Sequence, residues 1–157
     1  MKQMVTNMLA ERGVRLTDVA ALVYALQQPY QPRLTLADCL ASVASVLEKR
    51  EVQYALLTGI TIDTLAEQGL LAEPLQSVIA QDEPLYGIDE VLALSITNVY
   101  GTIGLTNFGY LDKTKMGVLA TINDNPHAVH TFLDDLVAGL AAAASARLAH
   151  NGWRATD

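Results

Sequence analysis

One cysteine, Cys39, stands in 157 residues, so no internal disulfide can form, which fits a reducing cytoplasm. Cys39 falls in a helical pattern and reads as a small core residue. Basic side chains are scarce: 10 Lys and Arg face 17 Asp and Glu, for a formal net charge of −7. No basic stretch offsets that balance, which excludes nucleic acid as the expected partner and argues against simple electrostatic docking on anionic lipid. Charge of either sign is also low, at 17%, and surface hidden in a homo-oligomer would account for it. Met1-Lys2-Gln3-Met4-Val5 lacks a continuous apolar core, so no secretory signal is expected. Val91 to Leu111 carries no charge, but Ser95, Thr97, Asn98, Thr102, Thr106, Asn107 and three glycines make it too polar for a transmembrane span. It reads instead as a central buried helix that breaks near its glycines. No strand pattern, nucleophile elbow, P-loop or dinucleotide fingerprint is visible.

Helical periodicity is present almost throughout. Residues 2–12 form a short amphipathic pattern closed by Gly13, and Thr17-Asp18 opens a second, carried by Val19, Leu22, Val23 and Leu26 and stopped between Pro29 and Pro32. Thr35 or Leu36 opens a third, with Leu36, Leu40, Val43 and Leu47 spaced along one face. A fourth runs from about Glu51 to Gln68 and a fifth from Leu71 to Gln81. The sixth begins near Ile88 and reaches about Tyr100, and the seventh runs from Pro126 or Thr131 to about His150. Gly104 to Asn125 is long for a structureless connection, so it hides a short helix or forms a functional loop. The pattern predicts an all-α fold: one compact domain over residues 1–157, a bundle of about six to seven helices around a central apolar helix, the sixth.

Two acidic pairs interrupt the most apolar stretches. Asp89-Glu90 opens the sixth helix, and the next charged residue is Asp112; Asp134-Asp135 stands near the start of the seventh or, if that helix begins at Pro126, well inside it, and the next is Arg147. Neither pair has a basic neighbour on its own helix, and a buried carboxylate must find a partner, bind a cation or take up a proton. Four carboxylates converging in a dry place would suit a divalent metal, and Asp63, after the apolar Thr58 to Ile62, could complete such a site. The bland alternatives are acidic decoration of a helix N-terminus for Asp89-Glu90 and a capping box from Thr131 to Asp134. Asp112 and Lys115 have ordinary ion-pair spacing, with metal and phosphate binding as the functional alternative. His127 and His130 have a spacing that zinc sites use, without the further ligands a zinc site needs.

Ile88-Asp89-Glu90-Val91, then Phe108-Gly109-Tyr110-Leu111-Asp112-Lys113-Thr114-Lys115, then Phe132-Leu133-Asp134-Asp135-Leu136-Val137-Ala138-Gly139-Leu140 resemble, in order, the motifs of the phosphatidylglycerophosphatase A family. Met116 stands where that family usually has proline, and the basic residues that usually precede the Asp-Asp pair are missing. The chain is similar to the shorter, all-helical branch described as low-temperature-requirement proteins. The resemblance implies a Mg²⁺-dependent phosphatase, or one using another divalent cation. Its substrate would be a phosphorylated glycerolipid (phosphatidylglycerophosphate to phosphatidylglycerol) or a related phosphomonoester. Glu90, Asp135, Asp89 and Asp134 would hold the metal, with Glu90 also essential to catalysis; Lys115 would contact the phosphate, and Asp112 would orient it or join the metal shell. Such a protein would be cytoplasmic and reach lipid from the membrane periphery. The alternative is an oligomeric regulatory module that kept a metal or phosphate site and lost catalysis.

Overall fold

The computed structural model describes residues 1–154, with side chains described through Asn151. Helices α1 (Lys2–Glu11), α2 (Leu16–Gln27), α3 (Leu36–Val46), α4 (Arg50–Glu67) and α5 (Leu75–Ala80) make the first half. Helices α6 (Ile88–Thr97), α7 (Thr102–Thr114), α8 (Val118–Asn123) and α9 (Leu133–Arg154) make the second, with a 3₁₀ turn at Asn98–Tyr100. No strand occurs among the described residues. The all-α bundle is as expected, with nine α-helices among the described residues rather than six or seven, because Gly104 to Asn125 contains most of α7 and all of α8.

Local chemistry sets several of these boundaries. Thr35 closes a capping box on α3: its hydroxyl accepts from the Asp38 backbone N–H at 3.2 Å while the Asp38 carboxylate accepts from the Thr35 N–H at 2.9 Å. At α2 the Asp18 carboxylate accepts from the Arg15 N–H at 2.8 Å, so that helix starts one residue before the expected Thr17-Asp18 cap.

The helix at the centre is α9, not the sixth. Every residue from Thr131 to Ala146 is buried, and α2, α3, α4, α6, α7 and α8 all pack against it. The alanine run from Ala141 to Ala144 has no bulk on any side, so neighbours can approach from all directions, and a helix apolar all round belongs inside. Gly59 of α4 meets the side chains of Phe132 and Leu136 where a Cβ would stand 2.5 Å from Leu136 Cδ1. Gly139 lies against the backbone of α6, where a Cβ would be 2.9 Å from the Ala93 carbonyl oxygen. By contrast α6 buries Ala93, Ile96 and Thr97 but leaves Ile88 and Val91 more than half exposed. It tolerates that position because its hydroxyls satisfy themselves locally: Ser95 donates to the Leu92 carbonyl at 2.6 Å and Thr97 to the Leu94 carbonyl at 2.9 Å.

Candidate active site

The N-terminus of α9 is where the sequence-predicted residues meet, and three contacts from distant segments fix it. The Asp63 carboxylate, fully buried near the end of α4, accepts from the Phe132 N–H at 3.0 Å and the Leu133 N–H at 2.9 Å. Thr131 donates its hydroxyl to the Ile79 carbonyl at 2.7 Å. Arg12 pairs with Glu67 at 2.7 Å and donates to the Val129 carbonyl, while Glu67 accepts from the Val129 N–H at 3.1 Å. Tyr86 packs its ring edge-on to Phe132, with centroids 5.9 Å apart. Asp63, expected to complete a metal site, therefore serves as the cap of α9. Its oxygens are engaged by the unpaired N–H groups every helix start presents, and α4 brings them there. Burial raises its pKa to about 7, partly offset by those N–H groups. The capping box expected from Thr131 to Asp134 does not form, because the Thr131 hydroxyl is turned to Ile79.

Past this cap lies an acidic cluster with one cation in it. Lys115 reaches Asp112 at 2.9 Å and Asp134 at 2.8 Å, joining the end of α7 to the start of α9. Burial opposes the ammonium charge, but the hydrogen bonds and charges of Asp134 and then Asp112 outweigh it and hold the pKa of Lys115 above its usual value. Asp134 Oδ1 also accepts from the Asp135 N–H at 2.9 Å, so both Asp134 oxygens are engaged. Asp135 is buried and has no such engagement. Desolvation first, then Asp134, Asp112 and Asp89, push its pKa to about 8 against the relief Lys115 gives. Asp89 faces the same cluster from the first turn of α6, and its pKa too is raised, by burial before the charges of Asp82 and Glu90. Its Oδ1 is buried with no hydrogen-bond donor among the described residues.

Asp82, in the connection before α6, completes the cluster and was not legible in the sequence. Its carboxyl is raised by desolvation and by Asp134, and is relieved by the charges of His130 and Lys115. Asp-Glu-Pro in a loop looks like ordinary solvated turn chemistry, and no apolar flank marks it. The backbone does mark it. Asp82 (φ 50°) and Lys115 (φ 46°) are the two non-glycine residues with positive φ among the described residues, and both are in this cluster. Left-handed conformations cost non-glycine residues about 1–2 kcal/mol, so two at one place indicate a geometry fixed by its surroundings.

Glu90, expected as a ligand and catalytic group, is not brought in. It is exposed on α6, because adjacent helical residues diverge by about 100° and Asp89 takes the inward direction. His127 is exposed and His130 half-buried, and the pair does not form a zinc site. The Cys39 thiol is buried, which with the nearby Asp38 charge pushes its pKa up to about 11, as suits an inert core residue.

Among the described residues no three His, Cys, Asp or Glu side chains form a ready metal cage. The donors present still fit a hard divalent cation, because Asp89 has an unpartnered buried oxygen, Asp135 is a buried carboxylate among other carboxylates, and Mg²⁺ commonly takes one or two carboxylates plus substrate oxygens.

The chain is similar to known proteins over most of its length. The Bacillus subtilis proteins YpjQ and YutG are each 57% identical to the chain. The match to YpjQ spans 92% of this chain and 81% of YpjQ, and the match to YutG spans 90% of this chain and 86% of YutG. The crystal structure of the low temperature requirement C protein from Listeria monocytogenes superposes with a TM-score of 0.94 at 56% identity, covering 97% of this chain and 96% of that one. The phosphatidylglycerophosphatase A profile matches residues 8–150, which takes in the acidic cluster and both helices that carry its pairs. The chain belongs to the phosphatidylglycerophosphatase A family.

Proposed function

We propose that this protein is a divalent-metal-dependent phosphatase that removes the terminal phosphate from phosphatidylglycerophosphate or a related phosphomonoester. One observation carries the reading: Asp112 from α7 and Asp134 from α9 both pair with Lys115, and beside them Asp82, Asp89 and Asp135 have pKa values raised by burial and by neighbouring carboxylates. A structural core gains nothing from so many like charges in partial burial, and a phosphate could not approach them unaided. Asp89 and Asp135 would hold the ion, since Asp89 Oδ1 is buried without a donor among the described residues and Asp135 is a buried carboxylate that Lys115 does not pair with directly. Bound there, Mg²⁺ supplies the positive charge that offsets carboxylate–phosphate repulsion and polarises the phosphoryl oxygens. Lys115, at the end of α7, would meet a phosphate oxygen, and Asp112 and Asp134 hold its ammonium in place. The site lies at the N-terminal end of α9, and no helix among the described residues is long and apolar enough to cross a membrane. A lipid substrate would have to present its headgroup to the protein.

The test is phosphate release from phosphatidylglycerophosphate in mixed micelles, with Mg²⁺ and with chelator, for the wild type and Asp89→Asn. Release that needs the metal and falls at least ~100-fold in the variant is expected, in the range seen when a charged group acting on the transition state is removed. A folded wild type that releases no phosphate from this lipid or from p-nitrophenyl phosphate would overturn the reading.

A further inference from the structure

Three contacts fix how α6 lies on α9, and they come in the same order along both segments. The Tyr86 ring, just before α6, meets the Phe132 ring, just before α9, edge-on with centroids 5.9 Å apart. Seven residues further along each segment (86 to 93, 132 to 139), Gly139 lies against Ala93, where a Cβ would stand 2.9 Å from the Ala93 carbonyl oxygen. Past the end of α6, the Tyr100 carbonyl lies 3.3 Å from His150 Nε2. The two helices therefore run parallel. Asp89 and Asp135 each stand four residues before the close approach of Ala93 to Gly139, one turn back on the same helix faces. This register sets the two carboxylates opposite each other, between the ring contact and the glycine contact.

The connection before α6 is tied to the start of α9 twice. The Ile79 carbonyl accepts from the Thr131 hydroxyl at 2.7 Å and from the Asp82 N–H at 3.1 Å. Tyr86 then rests on Phe132, the residue after Thr131, and its N–H closes the turn by donating to the Glu83 carbonyl at 2.9 Å. The first turn of α6 has little burial of its own: Ile88 and Val91 are exposed, and the buried residues of the helix begin at Ala93. The ring contact thus seats the turn that carries Asp89. We propose that Tyr86 is a positioning residue of the metal site, whose ring against Phe132 holds Asp89 at the spacing from Asp135 at which both carboxylates bind one divalent cation. This inference rests on the reading that Asp89 and Asp135 hold the ion. The ring acts through the backbone of α6, and the phenol hydroxyl has no part in it.

The test is Mn²⁺ binding to the full-length protein, followed by the electron paramagnetic resonance signal of the free ion, with Mg²⁺ as competitor. Tyr86→Ala should weaken binding ~10–100-fold, the usual cost of removing a group that orients a metal ligand. Tyr86→Phe keeps the ring and should bind as the wild type does. A folded Tyr86→Ala protein that binds Mn²⁺ as tightly as the wild type overturns the inference. Equal losses in the alanine and phenylalanine variants also overturn it, because the hydroxyl would then be the acting group. Tyr86→Leu, with helix content checked by circular dichroism, replaces the alanine variant if that one does not fold. A wild type that binds neither ion is a separate result, which overturns the metal-site reading and this inference with it.

Discussion

At the scale of single residues, burial and charge set what each carboxylate does. Asp135 and Asp63 have folded-state pKa values near 8 and 7, against 3.8 for an ordinary aspartate, with desolvation the main cause in both. The native protein therefore binds more protons than the unfolded chain between roughly pH 4 and 8, and stability falls as pH rises through that window. In chelator, the urea midpoint is expected to be higher at pH 5 than at pH 8. Asp135→Asn should reduce that difference by raising the midpoint at pH 8. Mg²⁺ should raise the wild-type midpoint at pH 8, as a ligand of the native state does, and should do little for Asp135→Asn. Asp63→Ala is a different case. It strips the cap from α9 and leaves buried N–H groups unpaired, which should cost about 2 kcal/mol or more at any pH, read from denaturant unfolding.

At the scale of elements, α9 is placed by close approaches that only glycine allows. Gly139→Ala would put a methyl 2.9 Å from a backbone oxygen of α6, which cannot swing away as a side chain can. About 1–3 kcal/mol of destabilisation is expected, with a fall in turnover, since α6 carries Asp89 and α9 carries Asp135. Gly59→Ala meets Leu136 Cδ1, a side-chain tip with some freedom, so its cost should fall at the low end of that range. Gly109 on α7 has nothing within 4 Å of a Cβ position, and Gly109→Ala should be neutral or stabilise by up to ~1 kcal/mol. Thermal unfolding of the three variants orders these outcomes. That a glycine at position 139 leaves room for a neighbouring helix was readable from its small-residue surroundings; that the neighbour is α6 was not.

At the scale of the molecule, the uncharged stretch from Val91 to Leu111 gives the surface an unusual region. Val91, Val99, Ile103, Leu105 and Tyr110 are all exposed, and α7 buries only Gly104, Phe108 and Leu111. Exposed apolar side chains are what protein–protein contacts use, and these stand in a segment that is uncharged where the rest of the chain is acidic. The homo-oligomer expected from the low charge content would use it. Sedimentation should then show a species heavier than one chain, and Val91→Glu should return it to a single chain without loss of helix content.

Much of this protein was determined by sequence alone, because the relevant physics is local. Helix periodicity, caps such as Thr35 with Asp38, and the scarcity of charge were enough for an all-α single bundle. Three short motifs in order were enough for the family. The carboxylates Asp89, Asp112, Asp134 and Asp135 and the lysine Lys115 were visible because they stand in or beside apolar stretches. Tertiary structure decided what depends on direction and on distant neighbours. Between Asp89 and Glu90 the choice of the inward carboxylate follows from the rotation of α6 against α9. Asp63 becomes a cap because α4 ends at the start of α9, 69 residues away in sequence. Asp82 joins the cluster only when the α5–α6 connection folds beside that same helix start. Chain spacing carries no information about such meetings; packing around α9 creates them.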